Sequence, residues 1–443
     1  ICRTQRGGVS VFDNVLLLHV FFQVRLLTVA TQHCDIVSVC YLLKEARIPV
    51  PQELSLSNPA VLAAHCGYTN LLKELLNSIP GVCLKRDLVN CLLVTACQQG
   101  HLDVVHLLVH SYNAHVKDFA IHSDEFAVLC GLPLYAAAQA SNEEIAHFLL
   151  ENGAEFSSYT LMDYPDFSKR LLRQKLHETS GANGVEGLSV FWSGLQLPYL
   201  ELDWFMDVCS QITHLDLSSN NISALPSVVP WGLMHLKTLD LSNNTLKELP
   251  FAQNSQDVIC SRLQVVNLSQ NQLKSLPTGL LHLIHLQKLC AANNQLSTLF
   301  DIPATVNWIG LRKLEELDVS GNCLISLLTS VMHSLKSLHC LDVSRNKLKA
   351  FPDPWACPLK NCKASSNVIE NLPNTISIFW RTQLQEVDFS DNCLKELPSY
   401  IFELEAIVSL KLCGNLIETL PAPNKWKCSK LKTLDLSRNQ LGR

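Results

Sequence analysis

Residues 236–246 read Leu-Lys-Thr-Leu-Asp-Leu-Ser-Asn-Asn-Thr-Leu, a phrase with leucines at positions 236, 239, 241 and 246 and an asparagine at 244. The phrase returns throughout the second half of the chain, and its asparagine marks the phase of every copy. Ten asparagines occupy this phase at spacings of 21 to 28 residues: Asn220, Asn244, Asn271, Asn294, Asn322, Asn346, Asn367, Asn392, Asn415 and Asn439. A period of this length predicts structural units that stack on one another.

Each copy follows the pattern L-x-x-L-x-L-x-x-N-x-L, which is the signature of the leucine-rich repeat. The spacing turns the apolar residues inward from a short strand, and the asparagine amide can bond backbone groups that the following turn leaves unpaired. Frequent Leu-Pro pairs after the asparagine favour short 3₁₀ turns or extended chain on the convex side. Residues 212–443 are therefore predicted to form an α/β horseshoe of about ten repeats, the last truncated, with short parallel strands on the concave face.

A second repeat system precedes the first. Residues 132–137, Leu-Pro-Leu-Tyr-Ala-Ala, correspond to the T-P-L-H-x-A signature of the ankyrin repeat. Equivalent positions fall at 34, 67, 100 and 141, so two intervals are 33 residues and the third, 41, contains an insertion near 117–130. Residues 26–156 are therefore predicted to form about four all-α ankyrin repeats.

Residues 157–211 bridge the two solenoids. We predict a helix over 167–178, a Gly-rich joint over 180–187, and an apolar cap over 192–209 that covers the open end of the second solenoid. Residues 1–25 match neither repeat and are interpreted as a non-matching segment, not as a native N-terminus.

Composition limits the class of protein. A chain of 443 residues with 47% hydrophobic residues is globular and too long for one core, and a net charge of −5 gives no basic footprint for nucleic acid. Eighteen cysteines without a C-x-x-C pair indicate reduced thiols and a cytoplasmic protein. The apolar run within 13–30 is too short and too interrupted to span a membrane.

No catalytic constellation is visible. The chain contains neither a Walker-type loop nor the protein-kinase motifs. His106 and His110 could share a metal on one helix face, but no third ligand is apparent, so surface histidines are the favoured interpretation. We predict no catalytic, cofactor-binding or metal-binding residue, and no enzyme activity in these residues.

The strands show where a partner could bind, because residues between the inward leucines face the concave surface. Six aspartates in this set are ordinary repeat consensus, whereas the lysines and arginines interrupt it. The mixed charge suits a protein or peptide partner. The candidate partner-binding residues are His214, Asp216, Asp240, Lys288, Glu316, Asp318, Asp342, Arg345, Lys363, Glu386, Asp388, Lys411, Asp435 and Arg438.

The order of the repeats, together with non-consensus stretches such as 58–61 (Asn-Pro-Ala-Val), 96–101 (Ala-Cys-Gln-Gln-Gly-His) and 351–360 (Phe-Pro-Asp-Pro-Trp-Ala-Cys-Pro-Leu-Lys), resembles one family closely. It is similar to the N-terminal half of the ankyrin-bearing leucine-rich-repeat serine/threonine-protein kinases of the ROCO family, from about residue 26 to 443. The resemblance implies a cytoplasmic protein whose repeats precede Roc GTPase, COR dimerisation and kinase domains. ATP, GTP and magnesium would belong to that catalytic half, and none of its residues is found in this chain.

Two functions remain open. The chain is either the regulatory and partner-binding half of such a kinase or a free-standing ankyrin and leucine-rich-repeat signalling adaptor. An extracellular leucine-rich-repeat receptor is a third possibility, which the scattered cysteines disfavour.

Overall fold

The computed structural model describes residues 11–55, 57–81, 84–117, 132–180, 186–252, 255–302 and 308–442. The chain divides into two compact units, residues 1–171 and 172–443. The predicted insertion near 117–130 and most of the predicted joint at 180–187 lie outside the described residues, as does the first part of the 1–25 segment.

The first unit is all-α, as the sequence predicts, and its helices pair along the chain. The helices are α1 (Val11–Gln32), α2 (Ile36–Lys44), α3 (Pro59–Cys66), α4 (Thr69–Asn77), α5 (Arg86–Gln99), α6 (Leu102–Tyr112), α7 (Pro133–Gln139), α8 (Glu143–Glu151), α9 (Ser158–Asp163) and α10 (Pro165–Gln174), whose last three residues belong to the second unit. The first helices of neighbouring pairs, α1, α3, α5 and α7, pack in sequence. The core of each pair is therefore shared with the next pair, which is the packing of a stacked repeat.

The 33-residue period has a physical cause at the end of each first helix. The residues at the four equivalent positions adopt left-handed backbone with φ between 53° and 81°: Cys34, Gly67, Gly100 and Ser141. The next N–H in each case donates to an alanine carbonyl of the preceding helix: Ala30, Ala63, Ala96 and Ala137. These bonds close the helix and turn the chain into the second helix of the pair.

The second unit contains one sheet of twelve strands arranged in chain order. The strands are β1 (Leu176–Ser180), β2 (Glu186–Phe191), β3 (Ile212–Asp216), β4 (Thr238–Asp240), β5 (Val265–Asn267), β6 (Lys288–Cys290), β7 (Glu316–Asp318), β8 (Cys340–Asp342), β9 (Asn361–Lys363), β10 (Glu386–Asp388), β11 (Ser409–Lys411) and β12 (Thr433–Asp435). β1 is antiparallel to β2, and β2 to β12 run parallel. This open parallel sheet is the predicted leucine-rich-repeat arrangement.

The convex side carries little regular helix. Two short helices occur there, α11 (Thr329–Met332) and α12 (Ile378–Gln383), together with 3₁₀ turns at Thr278–His282, Ser399–Glu403 and Pro423–Lys425. Two further 3₁₀ turns, Leu202–Trp204 and Met206–Gln211, precede β3. Prolines that begin or precede several of these turns explain the preference, since proline supplies no N–H for a helix.

The phase asparagines form a continuous ladder between coils. Asn346 is 8% exposed, and its Oδ1 accepts the N–H of Leu324 at 3.0 Å. Its Nδ2 donates to the carbonyl oxygens of Val319 and Val343 at 3.0 Å each. The other nine asparagines make the same set of bonds, each reaching one coil back. The predicted role of the amide is confirmed.

A left-handed residue stands immediately before every ladder asparagine. The ten residues have φ between 53° and 66°: Ser219, Asn243, Gln270, Asn293, Gly321, Arg345, Ser366, Asp391, Gly414 and Arg438. Left-handed backbone is uncommon outside glycine, so this column marks the turn that drives each coil out of its strand. Only two of the ten are glycines, which is why the turn does not stand out in the sequence.

The bridge differs from the prediction. Helix α10 ends at Gln174 instead of continuing to 178, because residues 176–180 are extended and pair with β2. The predicted apolar cap is buried, but it has the form of another coil. Val190 pairs with Leu215, and Asn220 Oδ1 accepts the N–H groups of Leu195 and Leu197. The stack therefore begins one coil before residue 212.

Candidate functional site

The strands align the candidate residues in two columns on the concave face. In the first column Lys288, Glu316 and Cys340 are direct register partners. In the second column the register runs Asp216, Asp240, Asn267, Cys290, Asp318, Asp342, Lys363, Asp388, Lys411 and Asp435. His214 begins the first column at β3, and Glu386 continues it at β10. The two ends of a column lie on the order of 40 Å apart, so the columns form an extended face and not one compact site.

The six aspartates of the second column also hold the turns that follow their strands. In each, Oδ1 accepts the N–H of the serine two residues later at 2.9–3.0 Å, the serines being Ser218, Ser242, Ser320, Ser344, Ser390 and Ser437. At Asp435 the hydroxyl and the N–H of Ser437 lower the pKa of the carboxyl group. One carboxylate oxygen of each aspartate is thus committed to the fold, which explains why aspartate recurs there.

The lysines of the columns are paired with acidic neighbours. Lys288 Nζ lies 2.8 Å from Glu316 Oε1, and this contact raises the pKa of the lysine. Lys363 Nζ lies 3.9 Å from Asp342 Oδ2, and Lys411 Nζ lies 4.0 Å from Asp388 Oδ2. Each pair joins adjacent strands. These partly exposed pairs contribute little stability, but they fix an alternating pattern of charge across β8 to β11.

The two candidate arginines lie beside the columns in the left-handed turns. Arg345 follows β8 and is exposed. Arg438 follows β12, where its guanidinium NH2 group donates to Asp391 Oδ1 at 3.0 Å. Asp391 is a member of the face that the sequence did not single out, because it occupies a turn position and not a strand position.

The centre of the concave face is a shallow groove of about 460 Å³ over β4 to β9. It is lined by Asp240, Lys288, Glu316 and Lys363, and also by Cys290 and Cys340. Burial raises the pKa of both thiols, so these cysteines stay protonated near neutral pH. The fifteen cysteines within the described ranges form no disulfide.

His214 and Phe191 define the N-terminal end of the face. Partial burial, and then the charge of Lys237, lower the pKa of His214. Phe191 lies beside Asp216 in the register and is 47% exposed. The sequence analysis missed Phe191 because its coil has Leu195 where the ladder asparagine is expected. The spacing Val-x-Trp-x-x-Leu-x-Leu over 190–197 still follows the apolar pattern of the repeat and could have identified the coil.

The residues that the structure describes were searched for a metal site and for a membrane-spanning helix. No group of three or more histidine, cysteine, aspartate or glutamate side chains there is placed to hold a metal ion. His106 and His110 instead pack against Phe148, with ring centroids 4.0 and 5.4 Å away. None of the helices in the described ranges combines the length and apolarity needed to cross a membrane.

Comparisons with known proteins agree with this architecture. A family model of ankyrin repeats, in three copies, matches residues 61–160, and leucine-rich-repeat models match residues 197–250 and 427–442. Leucine-rich repeat serine/threonine-protein kinase 1 of Mus musculus is 51% identical over 423 residues, which are 95% of this chain and 21% of that protein. The chain resembles the N-terminal repeat region of this ROCO-family kinase. The similarity covers both repeat systems and the bridge between them.

Other relatives match about half of the chain. Oligodendrocyte-myelin glycoprotein of Homo sapiens is 28% identical over 228 residues, which are 51% of this chain and 43% of that protein. A solved leucine-rich-repeat protein of Leptospira interrogans aligns with a TM-score of 0.42 and 24% identity over 56% of this chain and 65% of its own. The chain spans about a fifth of the mouse kinase and less than half of the human glycoprotein.

Proposed function

We propose that this chain is a non-catalytic protein-interaction module that binds a protein or peptide partner across the two concave columns. Ankyrin and leucine-rich repeats are protein-interaction modules, and both are present. The observation that carries the proposal is the in-register face itself: eleven parallel strands align its side chains, with an open groove over β4 to β9 and alternating charges across β8 to β11. Such a face can contact an area of the size that specific complexes bury, about 800 Å² per partner.

The ion pairs prepare the face for binding. Lys288, Lys363 and Lys411 are held by acidic residues one strand away, so their ammonium groups are oriented before a partner arrives. Complementary charge then selects the register and the orientation of the partner. The protonated thiols of Cys290 and Cys340 and the neutral Asn267 leave a less polar stretch at the centre, where a partner can bury apolar atoms.

The wider context is also a proposal. The 51% identity to a serine/threonine-protein kinase supports a role as the partner-binding and regulatory N-terminal part of such a kinase in the cytoplasm. ATP, GTP and magnesium are then bound by the catalytic domains of the longer protein and not by these residues. The alternative is a free-standing signalling adaptor, and the transcript beyond the codon for Arg443 distinguishes the two: a P-loop sequence supports the kinase and a stop codon supports the adaptor.

The test is capture of partners on the purified chain, with cross-linking to locate them. The double variant Lys363→Glu/Lys411→Glu reverses two column charges and is expected to lose the partners that cross-link to β8–β11. The control is Lys349→Glu/Lys395→Glu, which makes the same charge change at two exposed lysines three residues after a ladder asparagine. Equal capture by both variants, or cross-links confined to other surfaces, contradicts the concave site. Phosphoryl transfer by the purified chain at enzyme-like rates contradicts the non-catalytic role.

A further inference from the structure

A second charged surface follows the edge of the sheet where the strands begin. The hydrogen bonds between strands extend to the residue before each strand. The N–H group of that residue donates to the carbonyl oxygen of the equivalent residue in the preceding coil, as seen at Gln264, Gln287, Glu315, His339 and Lys360. In each coil from β4 to β9 we consider the four residues that end immediately before the strand. Together these segments contain six lysines or arginines and one acidic residue, Glu315. The segments are 234–237, 261–264, 284–287, 312–315, 336–339 and 357–360. We call the six the basic edge: Lys237, Arg262, Arg312, Lys313, Lys336 and Lys360.

The cations of the basic edge are not neutralised within the part of the chain that the structure describes. All six are exposed, and no described carboxylate forms an ion pair with any of them. Lys313 Nζ instead lies 3.2 Å from His285 Nδ1, which can accept a hydrogen bond but cannot supply a negative charge. The concave lysines, by contrast, each have an acidic partner. The basic edge therefore carries positive charge that no described ion pair neutralises, and it borders the concave columns, since Lys237 acts on His214 and Lys360 on Cys340.

Aliphatic side chains are exposed along the same edge. Met234 and Ile259 are each 51% exposed, Ile284 is 41% exposed and Ile309 is 63% exposed. They lie one to three residues before His235, Arg262, His285 and Arg312, so four successive coils each present an aliphatic tip next to a basic or imidazole group. Hydrogen bonds from Ile259 N–H to the Trp231 carbonyl, and from Gly310 N–H to the Leu281 carbonyl, hold these segments in the stack.

The loops after the ladder asparagines show that this pattern is not a general property of the stack. In the same six coils, residues 245–248, 272–275, 295–298, 323–326, 347–350 and 368–371 contain four lysines and two glutamates. Their net charge is 4 − 2 = +2, against 6 − 1 = +5 for the basic edge. The net positive charge is thus greater on the side where the strands begin, although aliphatic side chains such as Ile325 and Val368 are exposed in the loops as well.

We propose that the basic edge binds the surface of a membrane that contains anionic phospholipids. A bilayer surface suits both the cations and the exposed aliphatic side chains, because the aliphatic tips enter below the headgroups while lysine and arginine remain at the phosphates. A purely acidic peptide, without apolar side chains, would satisfy the cations only. The row extends about 24 Å for six strands at the usual spacing.

The test is co-sedimentation of the full chain with vesicles of phosphatidylcholine alone or of phosphatidylcholine with phosphatidylserine. Binding is expected only with phosphatidylserine and is expected to weaken as salt is raised. The variant Arg312→Glu/Lys313→Glu/Lys336→Glu is expected to weaken binding by at least about tenfold. The control variant Lys274→Glu/Lys349→Glu/Lys395→Glu makes the same change in charge on the loops after the ladder and is expected to bind as the parent chain does. Circular dichroism of both variants checks that the fold is retained.

A second comparison separates a membrane from an acidic protein segment. Ile284→Ser/Ile309→Ser keeps every charge and is expected to reduce vesicle binding several-fold, because the aliphatic insertion is lost. Soluble poly-glutamate is expected to bind more weakly than the vesicles and to be unaffected by these two serines. Three results overturn the proposal: binding to both kinds of vesicle alike, equal loss in the two triple variants, and binding to poly-glutamate but not to vesicles.

Discussion

At the scale of single residues, the asparagine ladder ties neighbouring coils together. Removing the amide of Asn346 leaves the Leu324 N–H without its partner inside the stack, and it takes one of two amide donors from each of the Val319 and Val343 carbonyls. Asn346→Ala is therefore expected to lower the free energy of unfolding by about 1–3 kcal/mol. Asn221→Ala is the control, because this exposed side chain bonds the side chain of the half-buried Gln196, and its cost should stay below about 0.5 kcal/mol. Denaturant unfolding measures both, and equal costs would contradict the ladder.

Two glycines of the ankyrin unit provide a matched pair. Gly67 and Gly100 both have left-handed φ, 76° and 81°. A Cβ at Gly67 would lie 2.6 Å from His101 Nδ1, whereas the nearest atom to a Cβ at Gly100 is Asn142 Nδ2 at 3.4 Å. Both substitutions to alanine should cost about 1–2 kcal/mol for the backbone, and Gly67→Ala should cost more because His101 must also move. The midpoints of helical unfolding test the order, and the reverse order would show that His101 does not restrict this position.

The pKa of His214 is expected to lie below the ordinary value of 6.5, first because of burial and second because of Lys237. The unfolded chain then takes up a proton at higher pH than the folded chain. This residue's contribution to stability should therefore fall as pH drops through about 6.5 toward the folded value, and be constant above that range. NMR titration of the imidazole measures the pKa, and Lys237→Gln should raise it only partly. A pKa at or above 6.5 in the parent chain contradicts the burial of this ring.

The residue scale also shows what the sequence could and could not predict. The positions of the inward leucines and of the ladder asparagines were predictable because every repeat places these side chains in the same environment. The turn before each asparagine was not, because eight of its ten left-handed residues are not glycine. The second role of the column aspartates, as caps for the serines two positions later, needs the backbone geometry of the turn.

At the scale of elements, the coil that contains β2 is the main departure from the predicted architecture. Residues 188–197 follow the strand and turn of a repeat, but Leu195 replaces the ladder asparagine and the short element before it forms an antiparallel strand. The N-terminal neighbour of this coil is strand β1 and not another coil, so the coil needs no amide to reach backward. Because its surroundings differ, this coil lacks the ladder asparagine by which the other coils are recognised in the sequence.

Trp192 tests whether this coil belongs to the stack. Its side chain is fully buried, and its Nε1 donates to the Leu172 carbonyl at 2.9 Å. Trp192→Ala should cost about 3–5 kcal/mol locally, and hydrogen exchange of the β2 and β3 amides should accelerate while β10 and β11 keep their protection. The partly buried Trp426 near the other end of the sheet is the matched control: Trp426→Ala should expose β12 and leave β2 unchanged. Uniform loss of protection in both variants would contradict a stack with nearest-neighbour coupling.

At the scale of the whole molecule, the repeat register determines where every functional residue can lie. The periodicity of the sequence predicts the two repeat systems. It also predicts the direction of the concave columns, because stacking places equivalent positions of successive repeats side by side. The partner does not follow from it, since repeat consensus fixes the inward residues and leaves the outward ones free. The basic edge was not visible in the sequence for the same reason: its six cations come from five separate segments that only the stacked coils bring into one row.

The most direct test of the register is hydrogen exchange of the full chain with Leu341→Asp. Leu341 points into the core between β7 and β9 and is 2% exposed, so an unpaired carboxylate there must be expelled or the coils must open. The predicted result is loss of protection centred on β7, β8 and β9, with smaller effects farther along the sheet and none for the exposed control Lys347→Asp. Unchanged protection in β7–β9 would show that Leu341 does not face a shared core, and the stacked-coil account would be wrong.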